Sequence, residues 1–186
     1  MGSVRVDRLK QDYDVVVEWR AFLLAPDTPP EGRPHPYPPE VRAQRTGPMR
    51  EMAAQAGLSM VDNDWVSNSL PALQAAEFAR EHGDFDAFHH AVFEAYWAEG
   101  KDIGKIEVLK EIAESVGLDA EALAAAVEDG RYLDQVMADY ELAQRIGFSG
   151  VPAFILGNRA IVGAQPYEVF EQVMTMLGRD KREAAD

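Results

Sequence analysis

The alternation of apolar and polar positions divides the chain into a short opening, a helical middle and an extended ending. From residue 3 the order SVRVDRLKQDY sets Val6, Leu9 and Tyr13 at helical spacing, and Ser3 is assigned as the N-cap of an amphipathic helix. The next ten residues, VVVEWRAFLL at 15–24, are β-branched and aromatic and predict a strand buried on both faces at its start. Helical periodicity then returns over 48–56, 69–82, 85–99, 105–116, 120–128 and 132–146. Asn68 or Ser67, Asp84 and Asp119 stand as caps, and Gly57, Gly83, Gly117 and Gly147 as stops. After Gly147 the period changes to two: AFIL and RAIV flank a two-residue Gly157-Asn158 turn, which predicts a hairpin, and Pro166 opens a last helix.

Composition changes this picture in two places. Eight of the 11 prolines lie between Pro26 and Pro48, so residues 25–48 are expected to form a long exposed loop rather than a regular element. The tail, 179–186, is expected to fray. With 186 residues, 47% of them hydrophobic, the chain can bury a core of its own. It has no apolar run of the ~18 residues a membrane span needs and no apolar leader segment. The expected location is the cytoplasm, with no membrane partner.

Charge and cysteine content exclude more. The net charge of -14 is confined to the region after residue 60, where 10 basic face 24 acidic side chains, whereas residues 1–60 hold 8 of each. Such a surface repels phosphate backbones, which argues against a nucleic-acid partner. A Cys count of 0 excludes disulfides, thiolate metal sites and thiol catalysis within this polypeptide.

The remaining candidates read as structure. His90 and Glu94 share a helical face, with His82 and His89 near, but no third ligand is identifiable, so no metal site is assigned. His35 lies in the Pro-rich loop and gives no signal. No Gly-x-Ser-x-Gly elbow accompanies any serine, and Ser149 belongs to the FSGVP turn. The pairs Asp62/Asp64 and Asp84/Asp86 lack the glycine and later glutamate of a calcium loop and are assigned to turns and caps. Trp19, Trp65, Trp97 and the seven methionines are assigned to packing.

One family resemblance spans most of the chain. FSGVPAFIL followed by GAQPYEVF, with EWRAFLLAPDTPPEG, NSLPALQAAEFA and AYWAEGKDIG, resembles the DsbA-like thioredoxin family, in particular its FrnE-like cytoplasmic branch. The resemblance implies an α/β thioredoxin-like fold, incomplete at its N-terminus, with an inserted all-helical subdomain. Residues 1–24 and 147–178 would form the thioredoxin-like part, 25–48 the Pro-rich loop and 49–146 the helical insertion.

It implies a thiol-disulfide oxidoreductase acting on protein or peptide thiols and disulfides, with Gly150, Val151 and Pro152 as substrate-binding residues and a cis Val151–Pro152 bond. In this family a Cys-x-x-Cys motif ends the first strand at a helix N-terminus, where unpaired N–H groups and the dipole stabilise a thiolate. Here the chain starts about where the family places the residues after the second cysteine. The expectation is a truncated sequence, redox-inert, with no catalytic residue of its own and no cofactor. The strand at 15–24 would stand apart from the 153 and 159 strands for want of a central partner, which leaves room for closure in an oligomer. A second reading, from the glutathione-using 2-hydroxychromene-2-carboxylate isomerases and kappa-class transferases, rests on Ser3 near the first helix and brings glutathione as ligand. A third is a non-catalytic peptide-binding relative.

Overall fold

The computed structural model describes residues 2–182. In chain order the elements are α1 (Gly2–Asp12), β1 (Arg33–Pro34), α2 (Pro39–Gln55), β2 (Trp65–Val66), α3 (Leu70–His82), α4 (Phe85–Trp97), α5 (Ile106–Ser115), α6 (Ala120–Glu128), α7 (Leu133–Arg145), β3 (Ala153–Leu156), β4 (Arg159–Val162) and α8 (Tyr167–Met176). They divide into two compact units, one of Met1–Arg20 with Ala143–Asp186 and one of Ala21–Leu142.

In the first unit the β3–β4 hairpin packs one face against α1 and α8. Its pairs run Ala153↔Val162, Phe154↔Ile161, Ile155↔Ala160 and Leu156↔Arg159. Gly157 takes φ +58° at the first turn position, a conformation that costs a residue without Cβ little and that suits the twist of a two-residue hairpin. Phe154, Leu156 and Ile161 therefore fall on one face and meet Leu9 and Tyr13 from α1 and its end, and Tyr167, Phe170 and Met174 from α8. The Phe154 ring stands edge-on to Phe170, with centroids 4.9 Å apart. On the opposite face Ile155 and Val162 stay exposed.

The second unit is helical apart from the β1–β2 pair. Phe78, Phe88, Leu109, Ile112 and Leu123 form the centre of its core, cushioned by the alanines of α3 and α6. Asp84 accepts from the Ala87 N–H at 3.0 Å and Asp119 from the Ala122 N–H at 3.0 Å, so both act as caps. Gly32 has φ +76°, and a Cβ there would meet Trp65 Nε1 at 2.3 Å, so only glycine lets the β1–β2 pair close.

Four expectations need correction. Residues 15–24 form no strand. Burial does alternate, with Val15, Val17, Trp19, Ala21 and Leu23 covered and Val16, Glu18 and Arg20 exposed, but no strand lies alongside among the described residues. The burial is also one-sided rather than two-sided: Val16 is 101% exposed. Ala21 instead gives its N–H to the buried Asp139 carboxylate on α7, at 3.1 Å.

The Pro-rich loop is shorter than 25–48, because α2 begins at Pro39 rather than at 48. Pro39 takes the first helical turn, where its missing N–H is no loss, and no proline follows until Pro48 inside the helix. Ser3 lies within α1 and is not its cap. Residues 179–182 of the tail are tied down: the Arg182 N–H donates to the Asp12 carbonyl at 2.7 Å, and its guanidinium lies 3.3 Å from Asp14. Residues 183–186 lie outside the described part.

Candidate functional site

The start of α1 and the turn before β3 come together in the first unit. Val6 and Leu9 turn the apolar side of α1 to the core, which leaves the first turn directed at the hairpin. Gly2 sits so close to Pro152 that a Cβ on it would lie 2.9 Å from the proline Cβ and 3.5 Å from Phe154 Cζ. Arg5, one turn on, donates from Nε to the Gln165 carbonyl at 2.5 Å and from Nη2 to the Ala164 carbonyl at 3.3 Å. That guanidinium fastens α1 to the turn after β4. The far end of α1 is held too, since the Tyr167 hydroxyl donates to Asp12 at 3.0 Å and Arg8 lies 4.0 Å above the Tyr167 ring.

Between these anchors the backbone of 150–152 is presented outward. The Val151–Pro152 peptide bond is cis. The Pro152 carbonyl accepts from the Gly163 N–H at 2.8 Å, which sets where the β3–β4 ladder begins. Val151, one residue earlier, is 53% exposed, and neither its N–H nor its C=O makes a hydrogen bond. A donor and an acceptor beside an exposed side chain, next to the end of a ladder, can pair with an extended segment. Gly150 is half-buried with open space where a Cβ would be, so its lack of side chain answers no packing demand here. Ser3 lies in the first turn of α1, half-buried.

Electrostatics near the site are local. Burial, then the Asp12 carboxylate, push the Tyr167 phenol above the ordinary tyrosine range, and burial does the same for Tyr13. The helix start adds unpaired N–H groups and a positive dipole end near Pro152.

Residues 1–175 match the DSBA-like thioredoxin domain. The chain belongs to that family. It is 29% identical over 178 residues to YwbO of Bacillus subtilis (strain 168), an uncharacterized protein, a match covering 94% of this chain and 88% of the relative. Among solved structures it resembles a probable DsbA oxidoreductase from Streptomyces coelicolor, with 27% identity, a TM-score of 0.86, and coverage of 100% of this chain and 86% of that one. A 2-hydroxychromene-2-carboxylate isomerase shares the fold at 20% identity and TM-score 0.73, covering 95% and 87%. The thioredoxin-like fold with a helical insertion follows from these matches. In this chain Gly2, at the start of α1, stands beside the cis-proline turn, with Ser3 next to it in the same helical turn.

The histidine candidates lie elsewhere, in the second unit. His82 stacks on Phe78 at 4.2 Å with Nδ1 3.1 Å from the Phe78 carbonyl, and His90 Nδ1 is 2.7 Å from the Asp86 carbonyl. His89 lies against Phe85 and Phe93. No three metal-ligating side chains converge among the described residues. Asp62 is held by arginines of α2, with Arg50 Nη2 at 2.7 Å and Arg42 Nε at 3.9 Å; the hydrogen bond from Arg50 is the main reason its carboxyl sits below the ordinary range. The sequence reading missed the Arg5 clamp, the Asp12–Tyr167 bond and this Asp62 staple. Each joins residues far apart in the chain, and no local spacing signals them.

Proposed function

We propose that this chain is a peptide-binding member of the DsbA-like family, whose 150–152 turn receives an extended, thiol- or disulfide-bearing segment of a protein substrate without exchanging disulfides itself. The observation that carries this is the unbonded N–H and C=O of the exposed Val151, beside Pro152 and the first turn of α1. An extended segment laid against Val151 would form a short ladder there, with side chains alternating toward and away from α1. Exchange itself needs a thiolate, and the polypeptide has a Cys count of 0. The matches to FrnE-like sequence blocks support placing the chain in that branch and, with it, in the cytoplasm.

The test is a titration of the full chain with an extended cysteine-containing peptide, followed by backbone amide shifts and repeated with the S-methylated peptide. Saturable shifts at Gly150, Val151 and Ala153, equal for both peptides, are expected, together with insulin reduction at the uncatalysed rate. Turnover above background, or no shift at Val151, overturns the reading. Saturation by glutathione alone, with shifts centred on Ser3, would replace it with the isomerase-like reading.

A further inference from the structure

The 17 residues of α2 have almost no apolar footing, since only Arg42 and Ala53 of this helix are buried. Over 36–46 every residue is exposed except Arg42, which is buried, and Thr46, which is half-buried. Those two and Arg50 follow at intervals of four, so they share one helical face, and all three meet one oxygen of Asp62. Arg50 Nη2 lies 2.7 Å from Oδ1, the Thr46 hydroxyl 3.3 Å and Arg42 Nε 3.9 Å. Asp62 is itself anchored on both sides. The Val61 N–H donates to the Trp97 carbonyl at 2.7 Å and the Asn63 side chain to the Tyr96 carbonyl at 3.3 Å.

The helix is weakest between the points that Asp62 holds. Pro48, in its interior, has no N–H to give the Gln44 carbonyl four residues back, and Gly47 beside it is a poor helix former. Nothing demands glycine there: a Cβ on Gly47 would meet no atom within 4 Å, and its φ is not positive. We propose that α2 is hinged at Gly47–Pro48 and that Asp62 is the latch, holding 36–46 down as a strap that dissolved ions release. Both ends of the strap are fixed. On one side the His35 N–H donates to the Asp64 carbonyl at 2.7 Å; on the other the helix keeps Ala53 buried and its end closed by the Leu58 N–H on the Ala53 carbonyl at 2.9 Å. The Arg45 guanidinium, 4.3 Å above the Tyr37 ring, lies within the strap and moves with it. The latch is light, because Arg42 Nε is buried without a hydrogen bond and opening returns it to water. It is also within reach of salt, because the Asp62 side chain is 33% exposed and such pairs are screened. This inference stands apart from the peptide-binding reading, since it uses no residue of the 150–152 turn.

Hydrogen exchange of the full chain, followed amide by amide at about 0.05 M and about 1 M NaCl, tests it. Salt is expected to speed exchange at 42–46 about tenfold and to leave 51–55 and the α3 amides nearly unchanged. Asp62→Ala does the same at low salt and removes the salt response. Adding Gly47→Ala and Pro48→Ala to that variant rejoins the two halves of the helix and restores most of the protection at 42–46. An unchanged rate at 42–46, on adding salt or in Asp62→Ala, overturns the latch. Equal acceleration at 42–46 and 51–55, or no recovery with the two alanines, overturns the hinge. Acceleration that extends to α3 reports loosening of the whole unit and overturns both; should Asp62→Ala fail to fold, the salt series on the parent chain decides.

Discussion

At position 2 the absence of a side chain decides how closely α1 can approach the proline turn. A Cβ on Gly2 would lie 2.9 Å from the Pro152 Cβ, a ring atom that cannot swing aside as a long side chain would. Gly2→Val adds three carbons to that contact and should push the first turn of α1 away from Pro152. The expected result is peptide affinity at the 150–152 turn lowered about tenfold, in line with ordinary overpacking costs, with a smaller effect on global stability because a first helical turn frays cheaply. A peptide titration of the variant measures it, and unchanged affinity would show that the α1–Pro152 contact is not part of the binding surface. Gly2 gave no warning of this role in the sequence, where it precedes a periodic run and nothing more. Pro152 did, since an X-Pro pair between a glycine-rich turn and an apolar run stands out locally.

Helices with their signals inside their own residues were legible, and elements that depend on a distant partner were not. Asp119 and Asp84 precede apolar-periodic runs, and each accepts from the N–H three residues on. Asp119→Ala should lower stability by about 1 kcal/mol, and Asp119→Asn should restore most of it, as read from urea midpoints followed by far-UV circular dichroism. If Ala and Asn behave alike, the side-chain cap contributes nothing to α6. The hairpin was equally local, because Gly157 and Asn158 sit between two short apolar runs. Residues 15–24 show the limit of this kind of reading. Their β-branched pattern predicts a strand, the chain does alternate its burial there, and yet the ladder that defines a strand requires a neighbour that no local pattern supplies. The start of α2 failed for the opposite reason: proline density argued against a helix, but Pro38 and Pro39 stand at its very beginning, where proline is tolerated. The candidate site shows the same split, with the 150–152 turn visible in the sequence, and the Arg5 clamp and Asp12–Tyr167 bond visible only once residues some 160 apart are brought together.

Across the whole molecule, 32 carboxylates against 18 basic groups make general repulsion grow as the pH rises and lysines discharge, so alkaline stability is the natural property to dissect. Tyr13, Tyr96, Tyr132 and Tyr167 are all raised in the folded chain and add a specific contribution; Tyr132 and Tyr167, one in each unit, also hydrogen-bond to a carboxylate and are the two to remove. Tyr132 is pushed up to about 12, first by burial and then by its hydrogen bond to Glu81, and Tyr167 is raised further by burial and Asp12. Both folded values lie above the ordinary tyrosine value of 10.0, so the folded chain holds these protons more tightly than the unfolded one. The resulting stability is fully present below about pH 10 and drains away as the pH climbs through the raised values, because the unfolded chain releases its protons first. Lys101, Lys110 and Lys181 are raised by their carboxylate partners and lose stability in the same direction, but they remain in every variant compared. The measurement is therefore a difference: urea midpoints at about pH 8 and about pH 11 for the parent chain, Tyr132→Phe and Tyr167→Phe. Each phenylalanine variant loses its hydrogen bond at both pH values, so its midpoint is lower throughout, but the fall between the two should be shallower than the parent's. The two variants should flatten it about equally, because the upper pH, about 11, lies below both raised values and the loss up to that point is set by ionisation of the phenol in the unfolded chain. Parallel falls in all three proteins would mean that the Tyr132 and Tyr167 protons are held no more tightly in the folded chain than in the unfolded one, and that alkaline loss comes from the groups common to all three and from net charge.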